Sequence, residues 1–381
     1  MELPSRVEVA IVGAGAAGLA VAVELSRRGL TVAVLERGAA GDPATSALGA
    51  SPGLVAVQAR THASPGPLRD VALLSRHLWP EWVSSIEEDA GTSCEYDVRG
   101  ALAVALSDAE EVHLDRALDW QRERSLPFEV LPAEEALERE SALAPLVQSA
   151  FAFPLDGLVA PDRLARALVL AARANGARVV ERVPVTAIRF DAGQVRGVET
   201  AAGLVAAEVV VVAAGAGSAH LGGVPPLPVA PRRTVVVALD ASSDPDRLGR
   251  AVVAPGVALL PRRDGSLVAA SEAPGTSLDT RPSAEEVAAL LGRAARVVPA
   301  AARYPLQRAW VEVSGGSPDG APLVGETGIP GLFAATGLGR DGVLLAPAAG
   351  VVCADLVTGE TPPVPPASLS PARFGGGEGA C

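Results

Sequence analysis

VEVAIVGAGAAGLAVAVELSRRGLTVAVLER, residues 7–37, is the stretch of sequence that decides the fold. Residues 7–12 are β-branched and apolar, the composition of a strand buried on both faces. They lead into a G-x-G-x-x-G at residues 13–18, then a helical stretch at 19–28 closed by Gly29, then a second apolar strand at 31–35 that ends at Glu36. This order of strand, glycine turn, helix, strand and acid, within about 30 residues, predicts a dinucleotide-binding βαβ unit.

Each part of this stretch has a physical role in holding a dinucleotide. Gly13 allows the tight turn, Gly15 lets backbone N–H groups approach a pyrophosphate, and Gly18 lets the helix pack closely on the strand. The helix N-terminus directs the positive end of its dipole at the phosphates. Glu36 can accept hydrogen bonds from the ribose hydroxyls, and its charge would repel a 2′-phosphate.

The composition indicates a globular protein and excludes several kinds of chemistry. The 381 residues suffice for two domains, or for one domain with a second inserted in it, and 49% are hydrophobic. A net charge of −12 argues against a nucleic-acid surface or an anionic membrane as partner. The chain has no lysine, which excludes a pyridoxal-phosphate Schiff base and a P-loop lysine.

Cysteine and histidine usage predicts neither a disulfide framework nor a metal site. Cys94, Cys353 and Cys381 are odd in number and widely spaced, with no C-x-x-C pair. The histidines are equally scattered: His62, His77, His113 and His220. The apolar run at residues 9–23 contains glycines and is flanked by glutamates, unlike a signal peptide. We therefore expect a cytoplasmic protein without a membrane span.

The rest of the chain alternates between sheet-forming segments and insertions. Residues 37–60 form a small, polar, glycine-rich loop that can lie across a cofactor. Residues 205–217 predict another buried strand, ending at Ala214 and Gly215, whose carboxyl end is expected beside that of the first strand. Single helices are expected at 68–90 and 108–125, a strand pair at 96–106, and antiparallel strands within 232–271.

A second glycine-rich turn lies near the end of the chain. Residues 332–336 predict a buried strand, followed by GLGRDG at 337–342 and a helix at 343–357. If the first turn holds a pyrophosphate, the second directs a helix N-terminus at the N1–C2=O edge of a flavin, where negative charge resides after two-electron reduction. The two turns together favour FAD as the dinucleotide.

The chain resembles the D-amino-acid oxidase superfamily of FAD enzymes, and within it the glycine oxidase and sarcosine oxidase branch. The stretches that carry the resemblance follow the family's order: AIVGAGAAGLAVAVELSRRGLTVAVLER (10–37), DGLVAPDRLARALVLAARANGARV (156–179), VVVVAAGAGS (209–218), LLPRRDGSLV (259–268), SPDGAPLVG (317–325) and GLFAATGLGRDGVLLAPAAG (331–350). The resemblance implies an α/β fold with a Rossmann-like FAD-binding domain of the glutathione-reductase type and an antiparallel-sheet substrate domain.

The resemblance also implies domain boundaries and cofactor contacts. The FAD-binding domain is expected at 1–80, 145–222 and 314–365, the substrate domain at 81–144 and 223–313, and a flexible tail at 366–381. Non-covalent FAD is expected to contact the following residues: Gly13, Gly15, Ala16, Ala17, Gly18, Glu36, Arg37, Ser46, Val183, Ala214, Gly215, Gly337, Gly339, Arg340, Asp341, Gly342, Val343 and Leu344.

The candidate catalytic residues are Arg340 and Ser314, and the second departs from the family. Arg340 matches the family's arginine in the second glycine turn and could bind flavin or substrate. Ser314 stands where glycine-oxidase-like sequences have an arginine that clamps the substrate carboxylate, and a serine cannot supply that charge. Ala258 and Gly256 replace an aromatic residue and a histidine. These changes predict a roomier pocket for a larger or uncharged amine.

The chain departs from the family pattern at two further places. Residues 232–234 read Arg-Arg-Thr where the family has Arg-Gly-Gln. Glu312 and its neighbours occupy the region in which sarcosine oxidases carry the cysteine that tethers their flavin, which is why the FAD is expected to be non-covalent.

The implied reaction is the oxidation of a C–H bond next to an amine nitrogen. Hydride passes from the α-carbon to flavin N5, which requires alignment and a neutral amine, and the imine is then hydrolysed. The expected partners are a small amine or amino acid and molecular oxygen or another electron acceptor; a homo-oligomer is left open. The alternatives are glycine oxidation for thiamine synthesis, a flavoprotein subunit that passes electrons to a partner, a catalytically silent FAD protein, and NAD-dependent dehydrogenation.

Overall fold

The structure, a computed structural model, describes residues 3–42, 44–60, 66–224 and 226–374. In this part of the chain the helices are α1 (Ala16–Arg27), α2 (Ala47–Ala50), α3 (Pro67–Ala90), α4 (Asp108–Ala117), α5 (Asp119–Glu123), α6 (Ala133–Arg139), α7 (Pro161–Ala174), α8 (Ala284–Val297) and α9 (Gly342–Thr358). Short 3₁₀ turns form at Gly215–His220, Pro299–Ala302, Gly339–Asp341, Pro366–Ser368 and Pro371–Phe374.

The strands of the first half are β1 (Arg6–Val12), β2 (Val32–Leu35), β3 (Leu54–Val55), β4 (Ala101–Ala105), β5 (Glu129–Pro132), β6 (Ser149–Phe153), β7 (Gly157–Leu158), β8 (Arg178–Val180) and β9 (Val185–Asp191). Those of the second half are β10 (Gln194–Thr200), β11 (Gly203–Val212), β12 (Ala230–Asp240), β13 (Ala251–Ala254), β14 (Val257–Pro261), β15 (Ser266–Ala273), β16 (Leu306–Gly316), β17 (Leu323–Glu326) and β18 (Leu332–Thr336).

The first large sheet is built from strands far apart in the sequence. Its order is β17-β18-β11-β1-β2-β8, with β9 and β10 attached through β11. The central strands β18, β11, β1, β2 and β8 run parallel. Their carboxyl ends therefore share one edge, where a doubly wound sheet binds its ligand.

Helices cover one face of this sheet. α1 lies between α7 and α9, and α3 packs on α7 and α9. Leu19, Val21, Val23 and Leu25 of α1 are completely buried, as expected for a helix that is apolar all round. Among the described helices one, at Gly339–Thr358, is long and apolar enough to cross a membrane, and 72% of its most apolar window is buried inside the protein.

The second large sheet is mainly antiparallel, in the order β16-β12-β15-β14-β13-β4-β6-β5. Only the β13–β4 pair among its described strands is parallel. Arg262 ties this sheet to the first domain, because its buried guanidinium donates to the carbonyls of Val159, at 2.7 Å, and Pro52. The expected α/β fold class, with an antiparallel second sheet, is confirmed.

The structure differs from the sequence predictions in several local features. The helix predicted at 108–125 is divided into α4 and α5 at Leu118, whose side chain is buried and only 1% exposed. Instead of a strand pair at 96–106, the chain forms β4 and a single bridge between Asp97 and Leu158. β6 lies in the second sheet although it falls within 145–222, a segment expected to bind FAD. The domain boundaries stay a proposal. Because β6 pairs within the second sheet, we propose that it belongs to the substrate domain.

Residues 366–374, part of the expected flexible tail, contact the rest of the protein, and their flexibility stays a prediction. Leu369 is buried, and its carbonyl accepts the Val324 N–H at 2.9 Å. Arg373 holds the tail through Asp319, with its Nε 2.9 Å from a carboxylate oxygen. The apolar and ionic contacts of these two side chains outweigh the proline-rich composition. Residues 375–381, including Cys381, lie outside the described part of the chain.

Candidate active site

The predicted cofactor residues lie mostly at the shared carboxyl edge of the parallel strands. Residues 13–18 follow β1, Glu36 follows β2, Ala214 and Gly215 follow β11, and residues 337–344 follow β18. The hydrogen bond from the Val183 N–H to the Glu36 carbonyl, 2.8 Å long, brings Val183 to the same edge. The structure thus assembles segments that are up to about 330 residues apart in the chain.

The first glycine turn is packed as tightly as its sequence predicts. Gly13 has a φ of +106° and its N–H donates to the Leu35 carbonyl at 2.8 Å. A Cβ on Gly13 would lie 2.6 Å from the Ala213 carbonyl oxygen, and one on Gly18 would lie 2.0 Å from the Gly13 carbonyl oxygen. Only glycine fits at these two positions, so the turn brings β1, α1 and the end of β11 together.

Gly15 is different because its missing side chain faces open space. A Cβ at this position would have no heavy atom within 4 Å, apart from its chain neighbours. Gly15 is also the N-cap of α1, with no side-chain cap, and Ala16 and Ala17 begin the helix without an acidic residue in the first turn. Free N–H groups and the positive end of the dipole therefore face this space.

The neighbouring polar groups fit the adenosine and pyrophosphate part of FAD. The Glu36 carboxylate accepts the N–H groups of Ala14 and Gly38, each at 2.8 Å, and keeps further lone pairs for ribose hydroxyls. The Ser46 hydroxyl oxygen is buried without a partner among the described residues. A buried unpaired hydroxyl is costly, and a bound polar group would satisfy it. Arg37 is exposed beside Glu36.

The second glycine turn provides another uncapped helix N-terminus. Gly337 and Gly339 have φ values of +73° and +58°, which directs the chain into α9. Asp341 is the N-cap of α9 without a side-chain hydrogen bond to the helix, and Gly342, Val343 and Leu344 form the first turn. The Leu344 carbonyl is anchored by the Ser75 hydroxyl at 2.6 Å and the Trp79 indole N–H at 2.8 Å.

Together these features fit FAD. They comprise two uncapped helix N-termini, a turn in which only glycine fits, an open space at Gly15 and an orphaned hydroxyl at Ser46. The turn at Gly215, which follows β11, is also open: φ is +55° and a Cβ there would meet no heavy atom within 4 Å. Both described cysteines, Cys94 and Cys353, are buried.

A cavity of about 600 Å³ adjoins the second glycine turn through Arg340. Its walls are mainly small or aliphatic, from strands of the second sheet and nearby loops: Pro52, Ala59, Ala103, Val104, Val253, Ala254, Pro255, Gly256, Val257, Ala258 and Ala270. Its polar lining consists of Arg60, Glu110, His113, Thr234, Ser271, Glu272 and Arg340. Gly256 and Ala258, the two small replacements noted in the sequence, are both in the wall.

Arg340 is the cation at the mouth of this cavity. Its guanidinium lies 2.5 Å from a Glu272 carboxylate oxygen and 3.8 Å from Asp341. Burial lowers the pKa of Arg340, but Asp341 and Glu272 outweigh this effect, so the pKa is raised. Arg60 lies deeper, 3.9 Å from Asp341, and burial lowers its pKa.

Ser314 and Glu312 lie on the same face of β16, because alternate residues of a strand share a face. The Ser314 hydroxyl is buried without a partner among the described groups, and so is one carboxylate oxygen of Glu312. Burial raises the pKa of Glu312 to about 8, against the attraction of Arg60. A joint role of Ser314 and Arg340 in binding substrate stays a prediction.

Sequence reasoning gave no role to two charged residues that line the cavity, Arg60 and Glu272, or to the buried Glu312 of the same sheet. Glu272 and Glu312 lie in stretches that are otherwise mainly apolar and that predict buried strands. A single charged residue in such a strand is unusual, and this could have marked both as candidates for a functional site. Arg60 ends the glycine-rich loop that was expected to cross the cofactor. Within the described residues, no group of three or more His, Cys, Asp or Glu could hold a metal ion.

Comparisons with known proteins show the family of the chain. Residues 8–356 match the family model described as FAD dependent oxidoreductase. A glycine oxidase from Geobacillus kaustophilus is 35% identical over 92% of this chain and 93% of its own length. A glycine oxidase from Pseudomonas aeruginosa is 32% identical over 96% of this chain and 98% of its own length.

A solved structure agrees as well. The crystal structure of glycine oxidase from Geobacillus kaustophilus superimposes with a TM-score of 0.89 at 34% identity, covering 97% of this chain and 99% of that one. The likeness extends over both sheets, because almost all of each chain is covered.

Proposed function

The chain belongs to the FAD-dependent oxidoreductase family that includes the glycine oxidases, and from this premise we propose that it oxidises an amine or amino acid larger than glycine. Oxidation of an amine or amino acid with FAD is the activity of the family branch it resembles. The size of the substrate is the part that the cavity supports.

The lining of the cavity supports the proposal. Gly256 and Ala258 both lie in its wall, where the resemblance implies an aromatic residue and a histidine, so the side chains there are smaller than in the family. The whole space is about 600 Å³, which includes any part that a flavin ring would occupy. Cavities of this size usually bind ligands that cover the apolar wall, and here that wall is provided by residues such as Ala258 and Val257.

The polar residues suggest how such a substrate is oriented. Arg340 is the cation that can pair with a substrate carboxylate, if it exchanges its present partner Glu272. Ser314 can offer only a hydroxyl where the family has an arginine. FAD, when bound, supplies the two-electron oxidation, and the residues of the chain position the α-carbon and exclude water.

A second candidate is glycine oxidation, which the names of the relatives favour. The two candidate functions, oxidation of glycine and oxidation of a larger amine, imply different consequences of having Ser314 in place of an arginine. If glycine is the substrate, Arg340 alone must hold its carboxylate; if a larger amine is the substrate, the absence of the second arginine provides room. The electron acceptor, a homo-oligomeric state and a cytoplasmic location stay predictions.

The variant Ser314→Arg tests the proposal, with Ser314→Gln as a control of similar bulk without charge. We expect Ser314→Arg to raise kcat/KM for glycine and sarcosine by about tenfold or more, because one charge-assisted hydrogen bond contributes about 1.5–3 kcal/mol. The control should not do so. Equal effects of the two variants would mean that position 314 acts by size alone, and no effect would place it outside the substrate site. A wild-type preference for glycine over larger amines would refute the size proposal.

A further inference from the structure

We propose that Glu312 is a catalytic residue that receives a proton from the substrate's ammonium group. The inference rests on the proposed amine oxidation and adds to it the group that makes the amine neutral. Glu312 lies in the strand that carries Ser314, directly opposite Thr234 of β12, which lines the cavity.

The register of the second sheet places Glu312 in a polar row with two cavity residues. Thr234 of β12 pairs with Glu312 of β16 on one side and with Glu272 of β15 on the other. Residues directly opposite each other across neighbouring strands share a face, and neighbouring strands are about 4.8 Å apart. The two carboxyl groups therefore flank Thr234 on one face, and both Thr234 and Glu272 line the cavity.

The two carboxyl groups of this row have different surroundings. Glu272 is paired with Arg340 at 2.5 Å. Glu312 accepts a hydrogen bond from the Thr234 hydroxyl with one oxygen, whereas its Oε2 has no partner among the described residues. Glu312 is only 4% exposed, so bulk solvent does not reach that oxygen. A buried polar atom without a partner indicates a bound group, and a substrate N–H is one that fits a carboxylate.

The charged groups around Glu312 set the pH range in which it can act. Arg60 attracts its ionised form, whereas Asp341 and Glu272 repel it, and burial, the largest effect, raises its pKa to about 8. Arg340 is engaged with Glu272 and Asp341. A base whose pKa lies near neutral pH is suited to accept a proton from an alkylammonium, whose own pKa is about 10.

The step consists of one proton transfer. The substrate R–NH₃⁺ binds with an N–H directed at Oε2 of the ionised Glu312, the N–H bond breaks, and the O–H bond of the neutral carboxylic acid forms. The charges of the pair cancel, which removes the cost of keeping both ionised in a buried site. The nitrogen is left with the lone pair that loss of hydride from the adjacent carbon requires. The proton returns to solvent when the product leaves.

The test is the pH dependence of anaerobic flavin reduction by glycine, sarcosine, L-proline and D-phenylalanine, in the FAD-loaded wild type and in Glu312→Gln. We expect wild-type reduction to rise with pH through an inflection near 8. In Glu312→Gln the inflection should move to the ionisation of the amine itself, near 10, with a rate about 100-fold lower at pH 7.5 that approaches wild type at high pH.

Three further measurements separate a proton-accepting role from a structural one. Glu312→Asp should keep an inflection below 10, since it retains the carboxyl group. Glu272→Gln, the matched variant in the same row, should also keep it, because Glu272 is paired with Arg340. Without any substrate, infrared spectra of the wild type should show a protonated carboxyl band at pH 7 that is lost at pH 9.5 and is absent in Glu312→Gln.

The outcomes distinguish this inference from the proposed function. Identical pH profiles for wild type and Glu312→Gln would refute the role of Glu312 and leave amine oxidation intact. If none of the four amines bleaches the wild-type flavin, the proposed function fails and this inference fails with it. An inflection near 8 that survives only when residue 312 carries a carboxyl group supports the assignment.

Discussion

Alanine at Gly15 should weaken FAD binding while leaving the folded apoprotein intact, whereas alanine at Gly18 should damage both. The two glycines belong to the same turn but have opposite surroundings. A Cβ at Gly15 meets no heavy atom within 4 Å, and a Cβ at Gly18 lies 2.0 Å from the Gly13 carbonyl oxygen. Comparing the two alanine variants therefore distinguishes an effect on cofactor binding from an effect on the packing of the protein.

The contacts set the expected magnitudes. At Gly15, the entropic gain of about 0.4–1 kcal/mol from alanine is offset by the poorer N-cap, so apoprotein stability should change by less than about 1 kcal/mol. The added methyl group would keep backbone N–H groups from the pyrophosphate, and losing two charge-assisted hydrogen bonds of about 1.5–3 kcal/mol each weakens binding by roughly 10²–10⁴-fold. At Gly18, overpacking costs about 3 kcal/mol against about 1 kcal/mol of helix propensity.

Thermal unfolding of the apoproteins and titration with FAD by flavin fluorescence measure the two effects separately. Gly292→Ala, on the exposed side of α8 and also without a neighbour within 4 Å, is the control and should change neither FAD binding nor the cooperativity of unfolding. Wild-type FAD affinity in Gly15→Ala would show that the space at Gly15 does not hold the pyrophosphate, and the account of the first turn would be refuted.

Three other properties follow from the described contacts. Arg262→Ala should destabilise the protein by about 2–4 kcal/mol in chemical unfolding, because two carbonyls lose their donor, whereas Arg263→Ala, exposed next to it, should cost less than about 0.5 kcal/mol. Because the folded-state pKa of Glu312 is raised to about 8, the apoprotein should lose stability as pH rises from about 4.5 to 8; Glu312→Gln should remove this slope and be more stable at pH 8 by roughly 2–4 kcal/mol. Cys94 and Cys353, buried with thiol pKa values raised to about 12, should resist alkylation at pH 8 until the protein is unfolded; rapid native labelling of either would contradict their burial.

Local sequence was sufficient for the cofactor half of the structure. The elements β1, α1 and β2 and the second turn before α9 lie where their patterns predict, because each depends on residues close together in the chain. One supersecondary unit contains the glycine spacing, the apolar runs and the final Glu36. Few other structures are compatible with that pattern. The family resemblance then supplied the joint interpretation of the two turns.

The substrate half could not be predicted to the same depth, for physical reasons. Glu272 and Glu312 are 40 residues apart and meet across Thr234 only through strand register, which no local pattern fixes. The predicted helix at 108–125 is interrupted at Leu118, which is buried, and Leu369 is buried within a segment whose proline-rich composition predicts loose order. In each case a tertiary contact outweighs the local preference.

Anaerobic bleaching of the bound flavin, followed by its absorbance with glycine, sarcosine, proline, D-amino acids and larger amines, tests the central claim most directly. The protein should be isolated yellow with FAD, and an amine or amino acid larger than glycine should bleach it fastest, since the cavity of about 600 Å³ has small apolar walls and Ser314 in place of an arginine. Fastest bleaching by glycine would contradict the assignment of substrate size. A flavin that no amine bleaches would contradict amine oxidation itself.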